Sequence, residues 1–99
     1  MSRFDVYRTP NSDSLLLDVQ SDLLGRLDTR VVVPLYALEQ APPKADGLNP
    51  IFIIDDVTYM MATEQISAVP MNLLDEPITN LSDKFAEITG ALDFLFQGF

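Results

Sequence analysis

Three consecutive valines, Val31-Val32-Val33, preceded by Thr29-Arg30 and followed by Pro34-Leu35, constrain this chain more than any other segment. β-Branched side chains favour extended backbone, and successive residues of a strand point to opposite faces. A nearly continuous apolar run over 29–35 therefore marks a strand buried on both faces. Pro34 has no N–H to give to a ladder, which places that end of the strand at an edge or a bulge.

The flanking segments also read as strands. Arg3 to Arg8 sets Phe4 and Val6 on one face, against charged or amphipathic neighbours. Pro10 to Ser14 is a dense turn cluster, and Leu15 to Val19 follows as a second strand. A connection this short holds no crossover helix, so the two pair antiparallel. Gln20 to Asp28 reads as a loop, although Leu23 and Leu24 sit within it. Ala41-Pro42-Pro43-Lys44 opens another loop reaching to about Pro50. Ile51–Ile54 and Val57–Met61 flank Asp55-Asp56, a pair that tolerates the left-handed geometry of a hairpin turn. Met60 and Met61 fill core, with one of the two facing outward. A further short strand or two surrounds Pro70.

The last segment is helical. Ser82 is the expected N-cap, and Asp83 suits the positive end of the helix dipole. At roughly 100° per residue, Phe85, Ile88, Leu92, Leu95, Phe96 and Phe99 share one arc about 100° wide, the expected core or partner face. Gly90 interrupts this helix, and Phe94 projects opposite the stripe, where it needs a second contact from a partner or from a curling sheet. Strands followed by one C-terminal helix predict an α+β or small-barrel fold rather than alternating βαβ units. The whole chain, residues 1–99, is expected to form one domain.

A chain of this length buries only about two-thirds of its unfolded surface, and without cysteine it has no disulfide to add to its core. Oligomerisation is the expected source of extra burial. No apolar run reaches the ~18 residues of a membrane span, and the N-terminus lacks the apolar centre of a signal peptide, so a cytoplasmic location is expected. Fifteen acidic residues against six basic ones give a net charge of −9. Proteins that grip nucleic acid neutralise phosphates with Lys and Arg, so direct nucleic-acid binding and docking on anionic membranes are both disfavoured.

The residue inventory also removes most catalysis. No histidine or cysteine is present, which excludes Ser-His and Cys-His nucleophiles, imidazole bases and the common zinc sites. Four scattered glycines make no phosphate loop. Carboxylate pairs remain: Asp55-Asp56 and Asp75-Glu76 fit solvated turns, and Asp18 suits a structural role, accepting backbone N–H bonds from the loop after it. No acid, base and nucleophile assemble, no metal site or cofactor is implied, and an enzyme is not expected.

Asp18-Val19-Gln20-Ser21-Asp22-Leu23-Leu24, followed by Thr29-Arg30-Val31-Val32-Val33-Pro34-Leu35, resembles the CcdB toxin family. The resemblance runs over essentially the whole chain, through Phe4-Asp5-Val6-Tyr7, Tyr59-Met60-Met61-Ala62-Thr63, Ser67-Ala68-Val69-Pro70 and Phe96-Gln97-Gly98-Phe99. It implies an SH3-like small barrel of the CcdB, Kid and MazF type with a C-terminal helix, assembled as a two-fold homodimer. It further implies a non-enzymatic toxin that binds the DNA gyrase A subunit, traps its complex with cleaved DNA and so blocks replication. A CcdA-type antitoxin would neutralise it through a disordered tail that orders on binding. Residue by residue, the family's gyrase-contacting loop corresponds to Ser21, Leu23 and Leu24, and its helix-end contacts to Asp93, Gln97, Gly98 and Phe99. Leu95 is expected at or near the two-fold interface. The family's best-known pattern carries Asn, Trp and Ile where this chain has Asp93, Gln97 and Phe99. Loss of the tryptophan removes the residue type most enriched in interface hot spots.

Two other functions remain open on the sequence. A toxin relic would bind antitoxin without harming the cell, and only the altered Asp93 and Gln97 speak for it. A MazF- or Kid-type endoribonuclease would share the barrel, but must hold RNA and stabilise a transferring phosphate. The nearest basic pair for that task, Arg26 and Arg30, lies among several acids.

Overall fold

The computed structural model describes every residue except Met1, Asn11 and Phe99. Among the described residues seven strands are followed by one α-helix: β1 (Asp5–Arg8), β2 (Leu15–Asp18), β3 (Thr29–Ala37), β4 (Ile51–Ile54), β5 (Val57–Met61), β6 (Ser67–Pro70), β7 (Thr79–Asn80) and α1 (Phe85–Gln97). They form one antiparallel sheet in the order β4-β5-β3-β2-β1-β7, with β6 also paired to β3. The sheet curls into a half-barrel whose ends, β4 and β7, stay unpaired with each other. This is the small-barrel fold with a C-terminal helix expected from the sequence, in an open form.

β3 organises the sheet because both its edges and both its faces are covered. Along one edge it pairs with β2, from Val32 opposite Asp18 to Leu35 opposite Leu15. Along the other it pairs first with β6, over Thr29–Val32, and then with β5, over Leu35–Ala37. Val33 and Leu35 enter the main core with Phe4, Val6, Leu17, Phe52, Met61, Ile88 and Ala91. Val32 points the other way and packs with Tyr7 and Leu74. The valine run is therefore a strand buried on both faces.

Pro34 differs from expectation. It lies inside the strand, opposite Leu16, and its carbonyl accepts the Ala62 N–H at 2.9 Å. The missing N–H thus faces the gap where β6 gives way to β5, so the ladder loses no bond there. Met60 is also a correction: it is as buried as Met61, because β5 lies between β4 and β3 and sets Met60 between Ile51 and Tyr36. The β4–β5 hairpin is as expected, with Asp55 and Asp56 exposed at φ 50° and 66°.

The helix departs from the sequence reading in three ways. Ser82 makes no side-chain cap; Ser82–Lys84 form a 3-10 turn, and Asn80 Oδ1 instead accepts the Ser82 N–H at 2.8 Å. The helix runs through Gly90 without a break. Its buried residues are Ile88 and Ala91, so the helix is rolled by roughly 60° from the expected stripe, at about 100° per residue. Ala91 lets the helix approach the sheet more closely than an aromatic ring would. Phe85 and Phe96, expected in the core stripe, are left 53% and 70% exposed. Phe94 finds its second contact within the chain, beside Gly47 of the 41–50 loop.

Candidate functional site

The loop after β2 is pinned from beneath by buried polar groups. Asp18 Oδ1 accepts the Gln20 N–H at 3.0 Å, as expected of a carboxylate before a loop. Gln20, itself buried, accepts the Val31 N–H at 3.1 Å and donates from Nε2 to the Leu24 carbonyl at 3.0 Å. Arg30 Nε donates to Asp18 Oδ2 at 2.7 Å. Arg30 Nη2 is also 2.7 Å from that oxygen, but is not aligned for a hydrogen bond and has no other partner among the described residues.

Both charges of this pair are removed from water. Burial pushes the Asp18 carboxyl up, and Arg30 and the Gln20 N–H pull it back only in part. Nearby, burial and then the charges of Asp5 and Asp18 push the Tyr7 hydroxyl up to about 12. The pair could not be read from the sequence, because eleven intervening residues separate groups that only the β2–β3 register brings together.

On this base sits a 3-10 turn, Asp22–Leu24. Ser21 caps it, its Oγ accepting the Leu23 N–H at 3.2 Å and its carbonyl accepting the Leu24 N–H at 3.0 Å. The consequence is a fixed backbone with its apolar side chains outside. Leu23 is 95% exposed and Leu24 51%, so neither folds back into the core. The exposed Leu27 extends the patch.

The second group of expected residues ends the helix. Asp93 and Gln97 are exposed and one turn apart, on one helix face. Gly98 closes the helix in the left-handed region, at φ 78°, and donates its N–H to the Phe94 carbonyl at 2.9 Å. Glycine is the residue that reaches this conformation without strain. Leu95 is half-buried. Phe99 lies outside the described residues. Phe96, unforeseen as a surface residue, adds a large exposed ring to this end. Its signal was legible only as a place in the stripe, which the roll of the helix reassigns.

Within one chain the two groups are not adjacent. The 21–24 turn is tied through Arg3 to Phe85, at the helix start, since Arg3 donates its N–H to Asp22 Oδ1 at 2.8 Å and sets its guanidinium 6.0 Å from the Phe85 ring centre. Gln97 stands at the other end, roughly 18 Å along the axis at ~1.5 Å per residue. A groove of about 450 Å³ lies between the 44–50 segment and the helix face of Ala86, Gly90 and Phe94. Its polar side chains are Lys44, Glu87 and Asn49, and Asn49 is already bonded to the Ala45 N–H, the Met61 carbonyl and Glu64. Among the described residues no three His, Cys, Asp or Glu side chains could hold a metal ion. No helix there is long and apolar enough to cross a membrane.

A curled half-barrel closed by one helix defines a small barrel protein, and here apolar side chains stand exposed on the turn after its second strand. The family comparison makes this specific: the chain matches the model of the CcdB protein over residues 3–98 and belongs to the CcdB family. It is thus a toxin of the toxin–antitoxin class.

Proposed function

We propose that this toxin acts without chemistry of its own, by binding the A subunit of DNA gyrase and trapping the enzyme on cleaved DNA. The observation that carries this reading is Leu23, almost wholly exposed on a turn whose backbone is held from beneath. Apolar side chains kept in water at a fixed place give the monomer nothing and are suited to enter a partner's pocket. Ser21, Leu23 and Leu24 form one half of the contact surface, and Asp93, Gln97, Gly98 and Phe99 the other. A homodimer with Leu95 at its interface would bring surfaces from two copies toward one partner. A CcdA-type antitoxin neutralises the toxin, and the target places its action in the cytoplasm.

Gln97 makes the second half of the surface weaker than the family's usual pattern, while Asp93 can pair with a basic partner residue. The same two departures favour a relic that retains antitoxin binding alone. The nuclease alternative loses ground, because Arg30 is buried against Asp18 and is not available to RNA. Expression with and without a cognate antitoxin, in cells with normal gyrase, separates the three. Antitoxin-reversible growth arrest with DNA-damage signalling is the expected result. Arrest with mRNA cleavage would establish the nuclease, and unimpaired growth the relic.

A further inference from the structure

We propose that Arg3 is the positioning residue of the Ser21–Leu24 turn, clamping it against the start of the helix so that Leu23 and Leu24 are presented in one orientation. The proposal rests on the reading that this turn docks on the gyrase A subunit.

Arg3 holds the turn at two points. Its backbone N–H donates to Asp22 Oδ1 at 2.8 Å, within the turn, and its Nε donates to the Val19 carbonyl at 3.3 Å, just before it. The guanidinium is itself held, 4.7 Å from the centre of the Phe4 ring and 6.0 Å from that of Phe85. Those two rings meet edge to face, with centres 5.9 Å apart. A planar cation can lie over aromatic faces while its Nε–H still points along the chain, a combination that an ammonium cannot reproduce.

The backbone is bent to make this contact. Ser2–Asp5 form a tight turn, closed by the Asp5 N–H on the Ser2 carbonyl at 3.1 Å, and Phe4 occupies its third position at φ 73°. Glycine ordinarily supplies that geometry, and a bulky residue there is strained. Phe4 is kept in place by its buried ring, by its N–H on the Asp18 carbonyl at 2.7 Å and by the Leu81 N–H on its own carbonyl at 2.9 Å. The bend turns the Arg3 N–H toward Asp22. Strain maintained by surrounding contacts is characteristic of places where geometry serves function.

The test compares Arg3→Ala, Asp22→Ala and Asp22→Asn by amide hydrogen exchange and by affinity for a purified gyrase A fragment. Asp22→Ala removes the acceptor of the Arg3 N–H, so the amides of Leu23, Leu24 and Gly25 should exchange about tenfold faster, with Val33 and Leu35 unchanged, because only the turn opens. Arg3→Ala keeps that N–H and loses the Nε bond and the ring contacts, so the same amides should exchange about threefold faster. Affinity should fall by about the same factor as exchange rises in each variant. Asp22→Asn keeps the acceptor oxygen and should recover most of both. Unchanged exchange in the turn would overturn the proposal, as would faster exchange with undiminished affinity. Should the wild-type chain fail to bind gyrase A, the target is wrong, and the exchange comparison alone decides whether Arg3 holds the turn.

Discussion

Asp18 shows how a buried charge can matter more for geometry than for stability. Burial pushes its carboxyl up despite Arg30 at 2.7 Å, so the pair recovers only part of what its dehydration costs. Removing one partner is another matter, because the other charge is then stranded. Asp18→Asn should therefore destabilise the fold by about 3–5 kcal/mol, read from urea unfolding at neutral pH. A loss below ~1 kcal/mol would mean that water already reaches Arg30. Tyr7 supplies the pH dependence on the same face. Its hydroxyl titrates at about 12 in the folded chain against 10.0 when unfolded. The folded state holds this proton longer, so the contribution to stability is complete below pH 10 and is lost as pH rises through 12. The loss amounts to roughly 2–3 kcal/mol across that window. Urea midpoints measured from pH 9 upward should fall accordingly, and Tyr7→Phe should flatten that part of the curve.

At the scale of the element, the helix packs on the sheet through its middle and leaves its last turn in water. Ile88 and Ala91 hold it to the sheet, while Gly90 is exposed, with open space where a Cβ would stand. Gly90→Ala should consequently stabilise the protein, by about 0.5–1 kcal/mol, since alanine restricts the unfolded chain and meets no clash. A rise in thermal midpoint checks this; a fall would show that something else occupies that space. At the far end, Asp93 and Gln97 face solvent beside the exposed Phe96. Gln97→Trp should tighten binding to the gyrase A fragment about tenfold or more, the worth of one aromatic anchor. Titration calorimetry that finds no gain would mean that this end of the helix does not meet the partner.

On the scale of the whole molecule, exposed apolar side chains stand at both ends of the helix (Phe85 and Phe96), on the turn after β2 (Leu23 and Leu24) and on the β4–β5 hairpin (Ile53). A two-fold dimer is the simplest arrangement in which such surfaces serve one partner. Leu95, half-buried and one turn from Ala91, is placed to take part in it. In the proposed dimer, Leu95→Asp should yield monomer in sedimentation equilibrium, and a variant that remains fully dimeric would move the interface elsewhere. The acidity of the chain, a net −9, opposes direct contact with nucleic acid and favours partners with basic surfaces.

Local chemistry was enough to settle much of this protein. The valine run reads as a two-faced strand, Asp55-Asp56 fits a hairpin turn, and the absence of histidine and cysteine removes most catalytic routes. These inferences depend on side-chain alternation, turn conformation and residue inventory, all of which are local. The orientation of the helix was not local. Its stripe offered six apolar residues, and which of them entered the core depended on how the helix seats on the curled sheet, where Ile88 and Ala91 are the buried residues. The Asp18–Arg30 pair and the Arg3–Asp22 contact likewise arise from strand register and a strained turn between segments far apart in the chain. The exposure of Leu23 could be anticipated, but the clamp that holds it in place exists only once the fold has formed.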